Sequence, residues 1–391
     1  MMCKFNNGEN MGKIGEKRLL FITGTRADYG KLKSLIKILD GDSDFKVFIF
    51  ATGMHMLSDY GFTYKEIEKD GFPYIYPFVN QNHNTNMSVA LSNTINGLSY
   101  YIDETNPDAI IVHGDRLEAL AGAIVGAFNN IRVFHIEGGE ISGTIDESIR
   151  HAITKFSNFH FVANDEAKKR IIQLGEPEEN IFIFGSPDID IMHSSKLPSI
   201  EEVKRYYEIP FDEYNILMYH PVTTEIDKLK DNIHSVVDAV LDSNDNYVVI
   251  YPNNDAGSKI ILEEYERIKS NDKFKIFPSM RFEYFLSLLK HADCMVGNSS
   301  SGIRETGIYS IPTVDIGSRQ NGRYDSKNSS HIIHVSEDDF ISKIISEAKN
   351  MVVESSSLFG KGNSDEIFYE ILQDSFIWDA KIQKQFIDID Y

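Results

Sequence analysis

Acidic side chains recur where apolar runs end. His113-Gly114-Asp115-Arg116 directly follows AIIV, and His135-Ile136-Glu137-Gly138-Gly139-Glu140 follows RVF. A buried strand that ends in an acid beside glycines places a carboxylate at the carboxyl edge of a sheet, where open α/β sheets take their ligands. Positioned carboxylates there suit general acid–base work. The plain alternatives are an N-cap role for Asp115 and ordinary loop acids at Glu137 and Glu140, but two such ends on neighbouring strands favour function. Next comes Ser142-Gly143-Thr144-Ile145-Asp146-Glu147-Ser148-Ile149-Arg150-His151. On a helix starting near Asp146, Arg150 and His151 fall one turn after Asp146 and Glu147, so ion pairs at i,i+4 account for all four. The Gly-Gly and Ser-Gly run before them lets backbone approach a ligand closely.

Other turns suit an anion. Gly24-Thr25-Arg26-Ala27-Asp28-Tyr29-Gly30-Lys31 opens a helix with two cations, where free N–H groups and the helix dipole also point. Val296-Gly297-Asn298-Ser299-Ser300-Ser301-Gly302-Ile303-Arg304-Glu305 reads as strand, Gly/Ser turn and helix start, a diphosphate seat in which Ser and Glu305 can also form a capping box. Arg319 and Arg323 follow the next apolar run, and His220 ends the run LMY. There is no G-x-G-x-x-G fingerprint and no P-loop, which demotes nicotinamide and ATP chemistry. No His/Cys/Glu set has zinc-ligand spacing.

The elements that must carry these turns alternate. Strands are expected at 18–23, 46–51, 109–113, 132–136, 160–163 and 181–184, with the helix 29–39 presenting Leu32, Leu35, Ile36 and Leu39 on one stripe. A polar, irregular stretch from His193 to about Tyr214 interrupts the pattern. It then restarts with strands at 215–219, 247–251, 274–277, 294–296 and 313–316 and helices near 225–242, 258–270, 281–291, 301–309 and 337–351. This predicts an α/β protein of two doubly wound parallel sheets with a cleft between the domains. The expected boundaries are a flexible extension at 1–16, domains at 17–195 and 196–372, and a segment at 373–391 that packs back on the first domain, with a helix near 378–389.

The 391 residues carry 39 Lys+Arg against 59 Asp+Glu, a formal charge of -20. That field repels polyanions, so nucleic-acid binding and attachment to anionic membrane are poor readings. No stretch approaches a membrane span, the first sixteen residues lack a signal-peptide core, and two cysteines build no disulfide framework, so a reducing cytoplasm is expected.

Taken in order, GTRADYGKL, VHGDRLEAL, HIEGGEISGTIDESIRHAITK, HPVTTE, YPNNDAGS, GNSSSGIRE and GSRQNGR resemble the hydrolysing UDP-N-acetylglucosamine 2-epimerases, from about Lys17 to Ile389. Non-hydrolysing relatives look different in having His-Arg-Arg-Glu where this chain has His220-Pro221-Val222-Thr223, and Glu-Ala-Gly where it has Glu137-Gly138-Gly139. The resemblance implies two Rossmann-like domains of the GT-B type, no cofactor and no metal. It implies UDP-N-acetylglucosamine and water as substrates, with UDP and N-acetylmannosamine for sialic acid and capsule polysaccharide synthesis as products, and a homodimer or homotetramer. It carries catalytic roles onto Asp115, Glu137, Asp146 and His220, and nucleotide or phosphate binding onto Arg26, Lys31, Ser299, Ser300, Glu305 and Arg319, with Asp28, Glu147, Arg150 and Asn253 in support. Glu147 stands where many relatives look to have a second Asp. The same chemistry on a UDP- or GDP-linked 2,4-diacetamido-6-deoxy sugar, a glycosyltransferase of the same architecture and a non-catalytic sugar-nucleotide sensor are the alternatives.

Overall fold

The β-branched and aromatic runs become two all-parallel sheets in a computed structural model, which describes residues 15–82, 85–141, 145–194, 197–222, 224–252, 257–324, 329–356 and 359–388. The first sheet comprises β1 Lys17–Thr23, β2 Phe45–Ala51, β3 Ile75–Pro77, β4 Ala109–His113, β5 Arg132–Ile136, β6 Phe159–Val162 and β7 Ile181–Ile183, in the order β3-β2-β1-β4-β5-β6-β7. The second comprises β8 Asn215–Met218, β9 Tyr247–Ile250, β10 Phe274–Phe277, β11 Cys294–Gly297, β12 Thr313–Ile316 and β13 Ile332–Val335, in the order β10-β9-β8-β11-β12-β13. Both orders reverse once, between β1 and β4 and between β8 and β11. The loops after those strands flank the crevice in which doubly wound sheets bind ligands.

Local rules explain the elements. Thr25 caps the helix Arg26–Asp40 by accepting the Asp28 N–H, and Leu32, Leu35, Ile36 and Leu39 bury fully against the sheet. The sequence pattern missed β3 and β13, two short edge strands, one ending in Pro77 and the other interrupted by His334. Edge strands are half solvated and lack the continuous apolar run of a central strand.

The chain divides into two compact units, one of residues up to Ile191 together with those from Gly360, the other Met192–Phe359. Residues 360–372, which the sequence pattern leaves with the second domain, therefore lie with the first. The helix Ser364–Leu372 buries Phe368 and Leu372 in the core under β1, β4 and β5, and Asp190 caps its start, accepting from the N–H groups of Ser364 (2.9 Å) and Asp365 (3.1 Å). The helix expected over 378–389 is instead the single turn Ser375–Asp379. The Arg132 guanidinium takes the carbonyls of Ile377, Trp378 and Ala380, and the chain runs on without helix to 388. No described helix is long and apolar enough to cross a membrane.

Candidate active site

In the first unit the loops after β1, β4 and β5 converge on His113. This ring, last in β4 and buried, lies between two carboxylates: Nδ1 is 3.0 Å from Asp28 Oδ1 and Nε2 is 3.1 Å from Glu137 Oε2. Burial opposes the imidazolium, but the hydrogen bonds to Asp28 and Glu137 and the Glu137 charge outweigh it and push the ring up to about 9. Burial likewise opposes ionised Asp28, yet His113 and the Gly24 N–H (3.0 Å) hold that carboxyl below its usual value.

Glu137 adopts φ +60°, a left-handed conformation uncommon outside glycine. Its carboxylate also accepts from Lys31 Nζ (3.0 Å) and from the Ser186 hydroxyl, and Lys31 pairs in turn with Asp188 at 2.8 Å. Lys31, expected on phosphate, is therefore held among acids here. Arg26 pairs with Glu66 at 3.0 Å on the partly exposed rim.

A second charged group gathers around Asp115, two residues after His113. Asp115 pairs with Arg150, whose other nitrogen donates to the Glu140 carbonyl (2.8 Å) and lies 3.8 Å from Glu147. Burial raises the Asp115 carboxyl, Arg150 opposes that, and the charge of Asp146, in the first turn of the helix Ile145–Phe156, adds to it. Glu147 pairs with His151 at i,i+4 (3.1 Å), as the local ion-pair explanation expects, and Arg150 also reaches the distant Asp115. Ser142, Gly143, Thr144 and Asn253 lie outside the described residues.

In the second unit Asn298 organises the switch point. Its side chain accepts from the His220 N–H (2.7 Å) and donates to the His220 carbonyl (2.9 Å). Its own carbonyl accepts from Arg319 (3.0 Å) and Gln320 (2.7 Å). Burial, and then the Arg319 charge, push His220 down to about 3, so it is a neutral ring. Ser299 caps the short turn Ser300–Gly302, Ser300 is exposed, and the helix expected from about residue 301 begins only at Glu305. Sequence reasoning named Ser299, Arg319 and His220 but missed Asn298, although it lay within a quoted motif. It likewise missed the bridging role of His113, and Ser186 and Asp188, which carried no signal of their own.

Chemically, the first unit offers carboxylates in the plural beside His113, Lys31 and Arg150, a set able to move protons. The second offers neutral donors and a guanidinium suited to an anion. The family profile described as UDP-N-acetylglucosamine 2-epimerase matches residues 37–373. The chain is 47% identical over 381 residues to the UDP-N-acetylglucosamine 2-epimerase of Neisseria meningitidis serogroup B, covering 95% of this chain and 99% of that protein. It is 35% identical over 362 residues to the UDP-N,N'-diacetylbacillosamine 2-epimerase (hydrolyzing) of Legionella pneumophila, covering 91% and 96%. In fold it matches a crystal structure of a Neisseria meningitidis UDP-GlcNAc 2-epimerase bound to UDP-GlcNAc, with TM-score 0.77 at 16% identity over 91% of this chain and 99% of that one. The chain belongs to the UDP-N-acetylglucosamine 2-epimerase family.

Proposed function

We propose that the protein is a hydrolysing sugar-nucleotide 2-epimerase that converts UDP-N-acetylglucosamine and water into N-acetylmannosamine and UDP. The observation that carries this reading is the gathering of Asp115, Glu137 and Asp146 at the carboxyl edge of the first sheet, with Lys31, His113 and Arg150 among them. In the α-linked substrate the C2 hydrogen and the C1–O bond to UDP are antiparallel, so a base removes the C2 proton as the C1–O bond breaks, giving 2-acetamidoglucal and UDP. Water then adds at C1 while a proton arrives at C2 from the other face. One group cannot serve both faces, which is why carboxylates are needed in the plural. Glu137 and Asp146 share the base and acid roles, and Asp115 orients or protonates. Arg319, the Ser299 turn and neutral His220 hold the diphosphate and take up the charge of the departing UDP.

The Legionella relative supports a second reading, the same elimination and hydration on a UDP-linked diacetamido-6-deoxy sugar, with the GDP-linked sugar as its variant. The free amino sugar would feed sialic acid or capsule synthesis in the cytoplasm, with the chain as a homo-oligomer. Incubation with UDP-N-acetylglucosamine in D2O, with no acceptor, tests the reading. UDP and free N-acetylmannosamine bearing deuterium at C2 are expected. UDP-N-acetylmannosamine as the end product, no turnover without an acceptor, or product without deuterium at C2 overturns it, and the diacetamido sugar nucleotides run in parallel decide the second reading.

A further inference from the structure

A buried charged cluster lies beneath the acidic loops and is used by none of the steps above. Glu176, fully buried, pairs with His160 of β6 (Nε2–Oε2 3.2 Å), with Lys155 (2.8 Å) and with Lys384, which also donates to the carbonyls of Thr154 (3.1 Å) and Ser157 (2.7 Å). Lys384 belongs to the non-helical segment 380–388, which Arg132 and Asn158 hold through the carbonyls of Ala380 (3.1 Å) and Ile382 (2.7 Å).

On its other side the cluster meets the acidic loops. His160 is paired in register with His135 of β5, their rings 6.5 Å apart. His135 Nε2 lies 2.8 Å from the Gly114 carbonyl, which only accepts, so that nitrogen carries the proton. Gly138 rests on the opposite side of the same ring, where a β-carbon would stand 2.8 Å from Nδ1. One imidazole thus supports both the turn before Asp115 and the turn after Glu137.

We propose that Lys384 is a positioning residue of the reaction: docked on Glu176, it keeps the His160–His135 pair in the arrangement on which the Asp115 and Glu137 turns rest. The inference builds on the reading of those turns as catalytic. The groups facing His160 are Glu176, His135, Lys155 and Lys384. Burial disfavours a charged His160, Glu176 pulls a proton toward it, and the two lysines oppose that pull. Burial and the neighbouring His160, Arg150 and His113 keep His135 neutral, at about 3. Without Lys384, more of the Glu176 charge falls on His160, which takes up a proton beside His135. A buried cation there displaces the ring, and sub-ångström shifts of reacting groups are costly in rate.

The test compares Lys384→Met, Lys384→Arg and the double variant Glu176→Gln/Lys384→Met in the full chain. Lys384→Met should lose ~10–100-fold in kcat with KM little changed. The loss should deepen as pH falls from about 8 to about 6, where histidine protonation is drawn out. Lys384→Arg should restore most of the rate. So should the double variant, which leaves His160 facing a neutral amide and also keeps the test alive if the single variant folds poorly. 15N spectra of labelled histidine should show His160 neutral in the parent and protonated in Lys384→Met at about pH 6. An unchanged kcat in Lys384→Met, or a loss that neither pH nor the double variant alters, overturns the proposal. Glu137→Gln run alongside separates the two readings: if it stays fully active the catalytic assignment fails, and if it is inactive while Lys384→Met is unaffected only the role of Lys384 fails.

Discussion

Glu137 pays for its place with a strained backbone, held at φ +60° while His113, Lys31 and Ser186 bind its carboxylate. Glu137→Gln and Asp146→Asn keep shape and remove proton exchange, so each should lower kcat ~10²–10⁴-fold while calorimetry still shows UDP-N-acetylglucosamine binding. A variant blocked mainly in the second step should release 2-acetamidoglucal; one blocked in the first should release little of anything. His113 gives a pH prediction. Its folded value, about 9, lies above the ordinary 6.5, so its contribution to stability is complete below 6.5 and is lost as pH rises through about 9. The melting temperature of the parent should therefore fall more steeply from pH 7 to pH 10 than that of His113→Gln; parallel slopes would refute the bridge. The strand-end pattern exposed Asp115 and Glu137 in the sequence, but Ser186 reaches Glu137 from 49 positions away, a contact that only the packed sheet creates.

At the scale of elements, the two switch points differ in how they are built. The first is made of charges, whereas the second is made of backbone geometry around Asn298. Gly297, the last residue of β11, has φ +130°, and a β-carbon there would fall on the Met218 carbonyl at the end of β8. Gly297→Ala should cost more than ~3 kcal/mol in denaturant unfolding, because both the conformation and the space are refused. Arg319 donates to the Asn298 carbonyl at the same corner, and the proposed function also sets it on the diphosphate. Arg319→Ala should weaken UDP binding by ~1.5–3 kcal/mol, the worth of a charge-assisted contact, and unchanged affinity by calorimetry would reject it as a diphosphate ligand. The motif GNSSSGIRE was legible as a turn between strand and helix. Its true form, a short turn capped by Ser299 and then a separate helix from Glu305, was not, since the capping-box pattern of Ser and Glu is met equally by a helix that starts earlier.

The whole molecule is asymmetric in how its chain is spent. The alternation of strands and helices revealed two α/β domains because each parallel strand needs an apolar run and a crossover helix, and both leave strong periodicities. The place where the chain returns to the first unit left a weaker trace. The helix Ser364–Leu372 reads like any amphipathic helix, and only its contacts, Phe368 and Leu372 in the first core and Asp190 at its start, assign it. One consequence is physical. The second unit is a continuous stretch, Met192–Phe359, with all six strands of its sheet inside it, whereas the first is completed by residues from Gly360 onward. Phe368, Leu372, Ile377 and Trp378 are buried against the first sheet, and fully burying one such side chain stabilises by ~1.5–3 kcal/mol. A fragment of 192–359 should therefore unfold cooperatively on its own by circular dichroism, with coincident transitions for backbone and tyrosine signals. A fragment ending at Ile191 should expose that apolar floor and either aggregate or bind a hydrophobic dye, and adding a peptide of residues 360–388 in trans should restore a cooperative transition. If the fragment ending at Ile191 already unfolds as sharply as the first unit of the full chain, the returning segment is an ornament of the fold and not part of its core.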